Sequence, residues 1–332
     1  MNAAVDDDDP MTTLTGDMRR VLEAQQALGW KPVEELTPAQ ARRQPTLAQA
    51  AAQVLQAQGK SLEHGDVASQ ALQYGTGTSV QALRTYRAST AAATAPVILY
   101  FHGGGWVDGD LELGENSAIA LARRTGALVV SADYSRAPEH RFPAAHADAL
   151  TAYQWLLGQA AGLGGDPRRI ALVGEAAGGN LAANVAVQVR DSGRRQPVHL
   201  ALIHPIVGTD TGSYSYNRNE TARPLSKAGM RWYFKQAIDP KDLQDKRLNL
   251  GDFNLGNLPN TTIVTADVDP LMFEGKLLGH KLESSNVPTR YMNYEGVTHG
   301  FFGLDAVLRE ARDAQALVAE QLNAAFATSG PK

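Results

Sequence analysis

The sequence predicts an α/β protein built on a mostly parallel, eight-stranded twisted sheet, with helices on both faces and a helical cap. Three observations carry that expectation. From residue 96 onward, short apolar runs alternate with longer helical patterns, the order that right-handed crossovers between parallel strands produce. Several of these runs are continuously apolar, as strands buried on both faces are. Finally, 332 residues with 43% apolar and 20% charged side chains can fill one large domain with an insertion.

Taken in order, the first ten residues contain Asp6, Asp7, Asp8 and Asp9, a self-repelling run that predicts disorder over 1–16. Asp17 to Leu28 and Thr46 to Gln58 read as helices, with Thr37-Pro38 and Pro45-Thr46 supplying breaker and capping chemistry. They define an N-terminal cap over 17–60. Gln70 to Tyr74 and Val80 to Tyr86 have the short alternation of antiparallel strands. The regular part follows, with strands at Pro96–Phe101, Ala127–Ser131, Ile170–Val173 and Val198–Ile203, and helices at Glu112–Arg124, Pro143–Gln159 and Gly179–Arg190. An aromatic-rich insertion, Gly208–Pro259, interrupts the pattern, and its residues 208–240 are expected to join the cap. Strand Thr261–Thr265, helix Leu271–Ser285, strand Thr289–Tyr294 and helix Leu304–Phe326 complete a main domain spanning 61–332.

Composition removes several functions. With no cysteine, disulfides, zinc–thiolate sites, iron–sulfur clusters and a cysteine nucleophile are excluded. A formal charge of −4 without a basic stripe argues against a nucleic-acid partner. No uncharged apolar run reaches the ~18–20 residues of a membrane span. The start has neither the basic nor the apolar stretch of a secretory signal, so the expected location is cytoplasmic, or exported with the signal absent from this chain.

Parallel sheets place their chemistry in loops at the carboxyl ends of strands. Four such loops carry unusual residues. His102-Gly103-Gly104-Gly105-Trp106 follows an apolar strand, and consecutive glycines let backbone N–H groups approach a developing oxyanion. Taken alone, a glycine triplet is more often a flexible turn. Gly174-Glu175-Ala176-Ala177-Gly178 lies between a strand and a helix, the frame in which a serine nucleophile is held on a strained turn. The central residue is Ala176, which has no oxygen and cannot attack. Asp269-Pro270 and Thr298-His299-Gly300 end the next two loops, giving the order nucleophile, acid, base. Singly, each reads as a turn or a surface residue; jointly and in order, they read as chemistry.

With these pieces in view, the sequence resembles the hormone-sensitive-lipase-like carboxylesterases of the α/β-hydrolase fold. The matching residues are His102-Gly103-Gly104-Gly105-Trp106, Asp133-Tyr134 with Ala137-Pro138-Glu139-His140 and Phe142-Pro143-Ala144, the 174–180 turn, Asp269-Pro270-Leu271 with Glu274-Gly275, and His299-Gly300-Phe301. The resemblance implies hydrolysis of short to medium acyl esters through an acyl-enzyme, with no metal or organic cofactor and a small ester as partner. It also allows a homodimer. Under it His299 is the general base and Asp269 its orienting acid, with Gly103, Gly104 and Ala177 forming the oxyanion hole. Ala176 stands at the nucleophile position, and a single missing oxygen amid a complete set fits substitution of an active esterase better than a natural binding protein. Further departures are Ser135-Arg136 and Met272-Phe273.

Other residues have blander readings. Trp106, Tyr214, Trp232 and His204 are candidates for the substrate pocket, although aromatic residues at such spacings more often pack a core. Glu175 is expected to support the site by a hydrogen bond. His64, His199 and His280 are expected at the surface, and Arg190, Arg194 and Arg195 in a solvated helix end. His140 and His146 lack metal-ligand spacing, and no nucleotide-binding glycine fingerprint follows a strand.

Overall fold

A computed structural model describes residues 9–76 and 79–329. Eight strands form one sheet: β1 (Val67–Thr76), β2 (Ser79–Ala88), β3 (Ala95–Phe101), β4 (Leu128–Ala132), β5 (Gly165–Glu175), β6 (Leu200–Ile203), β7 (Thr261–Val268) and β8 (Thr289–Thr298). Their spatial order is β1-β2-β4-β3-β5-β6-β7-β8. β2 pairs antiparallel with β1 and with β4, and every later pairing is parallel. β3 therefore lies between β4 and β5, where the winding reverses. The carboxyl ends of β3 and β5 open there onto one crevice, the usual ligand position of such sheets.

The helices among the described residues are α1 (Gly16–Ala27), α2 (Pro38–Ala41), α3 (Leu47–Ala57), α4 (Glu115–Thr125), α5 (Ala144–Gln159), α6 (Ala177–Asp191), α7 (Tyr214–Arg218), α8 (Lys227–Ala237), α9 (Met272–Ser284) and α10 (Arg309–Thr328). The breaker chemistry works as the sequence predicts: Thr37 with Gln40, and Thr46 with Gln49, close capping boxes at the starts of α2 and α3. Strand alternation divides the core. Val97, Leu99 and Phe101 of β3 pack with α5 and α6, while Ile98 and Tyr100 face the layer of α4 and α10. α1 and α3 join the latter layer through Met18, Val21, Ala50 and Ala51. Trp232 of α8 donates its indole N–H to the Leu36 carbonyl at 3.1 Å, so the 208–240 insertion touches the N-terminal segment.

Several expectations are corrected. The disorder expected over 1–16 falls partly outside the described residues, but from Asp9 the chain is ordered. The Asp9 side chain caps a 3-10 turn at Pro10–Thr13, and Thr15 caps α1. His199 is not at the surface: it is buried, with Nε2 2.9 Å from Thr262 Oγ1. Arg190 does not end in solvent, because its guanidinium donates to the carbonyls of Asn254 and Gly256. The last helix begins at Arg309 rather than Leu304, since Leu304 and Leu308 are used as buried turn residues. No helix among the described residues is long and apolar enough to cross a membrane.

Candidate active site

β5 runs straight into α6 with one residue between them, Ala176, at φ 49° and ψ −112°. A non-glycine residue with positive φ costs on the order of 1–3 kcal/mol and persists only where its surroundings impose it. Here they do. A Cβ on Gly174 would lie 2.1 Å from the Gly178 carbonyl oxygen, and one on Gly178 would lie 2.1 Å from that of Phe101. Glycine at both flanks is what lets the turn close. The Ala176 N–H donates to Ile203 O, and its carbonyl accepts from Ile206 and Asn180. Ala176 is thereby fixed at the junction of β5 and α6.

The glycine loop after β3 comes to the same place. A Cβ built on Gly103 would stand 3.5 Å from the Ala176 Cβ. Ala177 is the first residue of α6, so its N–H is one that no helical carbonyl takes and that the helix dipole favours for an anion.

From β7 and β8 come the other two groups. Asp269 is fully buried, and its Oδ2 lies 2.7 Å from His299 Nδ1. Its Oδ1 accepts the Leu271 N–H at 2.9 Å, and its backbone carbonyl accepts from Asn219 Nδ2. An imidazole held at Nδ1 by a carboxylate is fixed in the tautomer whose Nε2 can take a proton. His204, Asp269 and His299 bring three ligand-type atoms within 4.8 Å. The His299–Asp269 hydrogen bond already occupies two of them, so the set suits proton transfer better than a cation.

Of the pocket candidates, His204, whose own φ is positive at 35°, packs its ring 4.2 Å from that of His299. Both of its ring nitrogens lack a hydrogen-bond partner among the described residues. Burial, with His299 beside it, holds its basicity well below the ordinary histidine value, so it is a neutral ring. The other three are dispersed. Trp106 is buried against His146, Trp232 packs on Tyr233, and Tyr214 is 63% exposed beside Phe273. Glu175 accepts from the Tyr100 hydroxyl at 2.8 Å, and burial raises its carboxyl above the usual range.

Three residues had no signal in the sequence. Tyr100 is simply one of a run of apolar strand residues. Asp108 and Tyr233 are far apart in the chain, yet the Tyr233 hydroxyl donates to Asp108 Oδ2 at 2.8 Å, and burial pushes that carboxyl up to about 6. The Tyr233 ring also covers Gly105, where a Cβ would be 2.3 Å from Cδ1.

A strained strand-to-helix residue thus stands against a glycine loop, with a hydrogen-bonded His–Asp pair following β7 and β8 at the same carboxyl edge of the sheet. The alpha/beta hydrolase fold family matches residues 98–303, and the chain belongs to that family. Carboxylesterase NlhH of Mycobacterium tuberculosis is 35% identical over 238 residues, covering 70% of this chain and 74% of that protein. An ethyl acetate hydrolase of Pseudomonas putida is 32% identical over 235 residues, covering 70% of this chain and 74% of that protein. A solved serine-to-alanine mutant of an alpha/beta hydrolase from the metagenome of Lake Arreo has 31% identity and a TM-score of 0.83, covering 95% of this chain and 99% of that one.

Proposed function

We propose that this chain is a serine carboxylesterase of the hormone-sensitive-lipase-like type with alanine at its nucleophile position, able to hold an ester but nearly unable to turn it over. One observation carries the reading: the strained Ala176 stands against the Gly103 backbone, at the same carboxyl edge of the sheet as a hydrogen-bonded His299–Asp269 pair. Relatives named for carboxylic ester hydrolysis support it.

In the serine form, the hydroxyl at 176 attacks the ester carbonyl carbon as its proton passes to His299 Nε2. The N–H groups of Gly103, Gly104 and Ala177 hold the oxyanion. The tetrahedral adduct collapses, and His299 returns the proton to the departing alcohol. Water activated by His299 then attacks the acyl-enzyme and releases the acid. No step requires a cofactor. Segments 17–60 and 208–240 cover the crevice as a cap, a role supported by the Trp232–Leu36 contact.

Without the nucleophile, kcat falls about 10⁶-fold, roughly 8–9 kcal/mol, while a residual 10³–10⁴-fold over water is of the size that oxyanion hole and binding supply. Replacing hydroxymethyl with methyl only enlarges the site, so ester affinity is kept. The test is hydrolysis of short p-nitrophenyl esters by this chain and by Ala176→Ser, side by side. Turnover by the variant alone supports the reading. A folded variant that is inactive across acyl lengths would overturn it in favour of a non-catalytic ligand-binding protein.

A further inference from the structure

We propose that Tyr134 is a positioning residue for the oxyanion hole, its hydroxyl holding the two peptide planes whose N–H groups would bind the oxyanion. The inference rests on the oxyanion role proposed for Gly103 and Gly104 and adds a residue outside that set.

In a trans peptide the carbonyl of one residue and the N–H of the next lie in one plane and point to opposite sides. The orientation of the Gly103 N–H is therefore fixed by whatever holds the His102 carbonyl, and that of the Gly104 N–H by whatever holds the Gly103 carbonyl. Both peptides are trans. The Tyr134 hydroxyl shares its single proton between both carbonyls in a bifurcated bond, 2.8 Å to His102 and 3.1 Å to Gly103. His102 Nδ1 adds a second hold on the Gly103 carbonyl at 2.7 Å.

Such a hold is needed here. Gly104, Gly105 and Trp106 all have positive φ, at 108°, 57° and 61°, and glycine lets a plane rotate at little steric cost. Three other carbonyls of the loop are taken elsewhere: Gly104 by the N–H groups of Val107 and Asp108, Trp106 by that of Ala137, and Val107 by Arg42 Nε. The His102 carbonyl is left to the Tyr134 hydroxyl, and the Gly103 carbonyl to that hydroxyl together with the His102 ring.

Tyr134 is itself rigid. It is 1% exposed, and its ring stacks on His102 at 4.4 Å and 14°. Its backbone N–H donates to Asp133 Oδ1, the same oxygen that lies 3.2 Å from His102 Nε2. Burial, reinforced by the neighbouring carboxylates Asp133 and Asp108, keeps the phenol protonated, so the hydroxyl is always available to donate.

Tyr134→Phe removes the hydroxyl and keeps the stacked ring. Losing an oxyanion donor outright costs about 10²–10³ in kcat; losing its orientation is expected to cost about 10–100-fold in kcat, with KM unchanged, in the Ala176→Ser background. A thionoester substrate sharpens the test. A hole shaped for oxygen discriminates against sulfur, so the ester-to-thionoester rate ratio should fall in the phenylalanine variant, a change that general loosening does not produce. A second measurement needs no turnover. In the chain with Ala176, the ¹H–¹⁵N signals of Gly103 and Gly104 should move on Tyr134→Phe, while those of distant glycines such as Gly193 stay in place. Unmoved Gly103 and Gly104 signals in a folded variant overturn the proposal, whether or not Ala176→Ser is active. An inactive Ala176→Ser protein with moved signals overturns the esterase reading and leaves the Tyr134 hold standing.

Discussion

Asp269→Asn in the Ala176→Ser protein is the sharpest probe of the proton-handling pair. Asp269 is fully buried and makes two side-chain bonds, Oδ1 from the Leu271 N–H at 2.9 Å and Oδ2 to His299 Nδ1 at 2.7 Å. Asparagine matches its volume but offers one acceptor and one donor. The backbone N–H of Leu271 can only donate, so the amide oxygen must face it. The amide NH₂ is then directed at His299 Nδ1 and forces the proton onto Nε2. In that tautomer Nε2, the acceptor in the proposed mechanism, has no lone pair for the nucleophile's proton. A wrong tautomer of this kind in a serine protease triad costs ~10⁴ in kcat, or ~5.4 kcal/mol at ~1.36 kcal/mol per decade. The expected outcome is a loss of about that size in kcat with little change in KM. The assay is steady-state hydrolysis of p-nitrophenyl butyrate, paired with a thermal melt to show that the variant is folded. A folded variant losing less than about tenfold would refute the orienting role of Asp269.

Two predictions concern stability. Glu274 is buried, with Oε2 unpartnered among the described residues, and its carboxyl is pushed up to about 8, chiefly by burial. An unfolded glutamate titrates near ~4.3, so between those values the native state holds a proton that the unfolded chain has lost. Stability therefore falls as pH rises through that window and levels off above it. Glu274→Gln should flatten the decline, and parallel melting curves for the two proteins from pH ~5 to ~9 would count against this account. Gly178→Ala places a methyl 2.1 Å from the Phe101 carbonyl oxygen and 2.4 Å from that of His102. Neither backbone atom can yield, so a loss of ~3 kcal/mol or more is expected, and an unchanged melting temperature would contradict the close approach of these segments.

Much of the fold was legible because parallel strands and their helices carry strong local periods. β3, β4 and α5 begin and end within one residue of the segments read from the sequence. Elements whose limits depend on partners were not: β5 extends back to Gly165 along β3, and β8 continues to Thr298 beside β7. The histidines show the same division. Nothing local separates His199 from His280, yet one is buried on Thr262 and the other stays exposed beside Glu283. The pocket candidates rest on residue type, which carries no direction, and of the four it is His204 whose ring packs against His299.

By itself the sequence determined the order of strands and helices, the two glycines that permit a strained turn at 176, the absence of a nucleophilic oxygen there, and the candidate roles of Asp269 and His299. Those follow from chain-local rules: apolar period, glycine at positions no Cβ can occupy, and the chemistry each side chain can or cannot perform. The tertiary structure alone decided what stands across from what. It closed the Asp269–His299 bond, set His204 against His299, brought Tyr233 to Asp108, and laid one tyrosine hydroxyl across the carbonyls of His102 and Gly103. These pairings join residues on different strand-end loops and, for Tyr233, on helix α8. Their geometry is fixed by sheet register and layer packing, and no short stretch of sequence contains either.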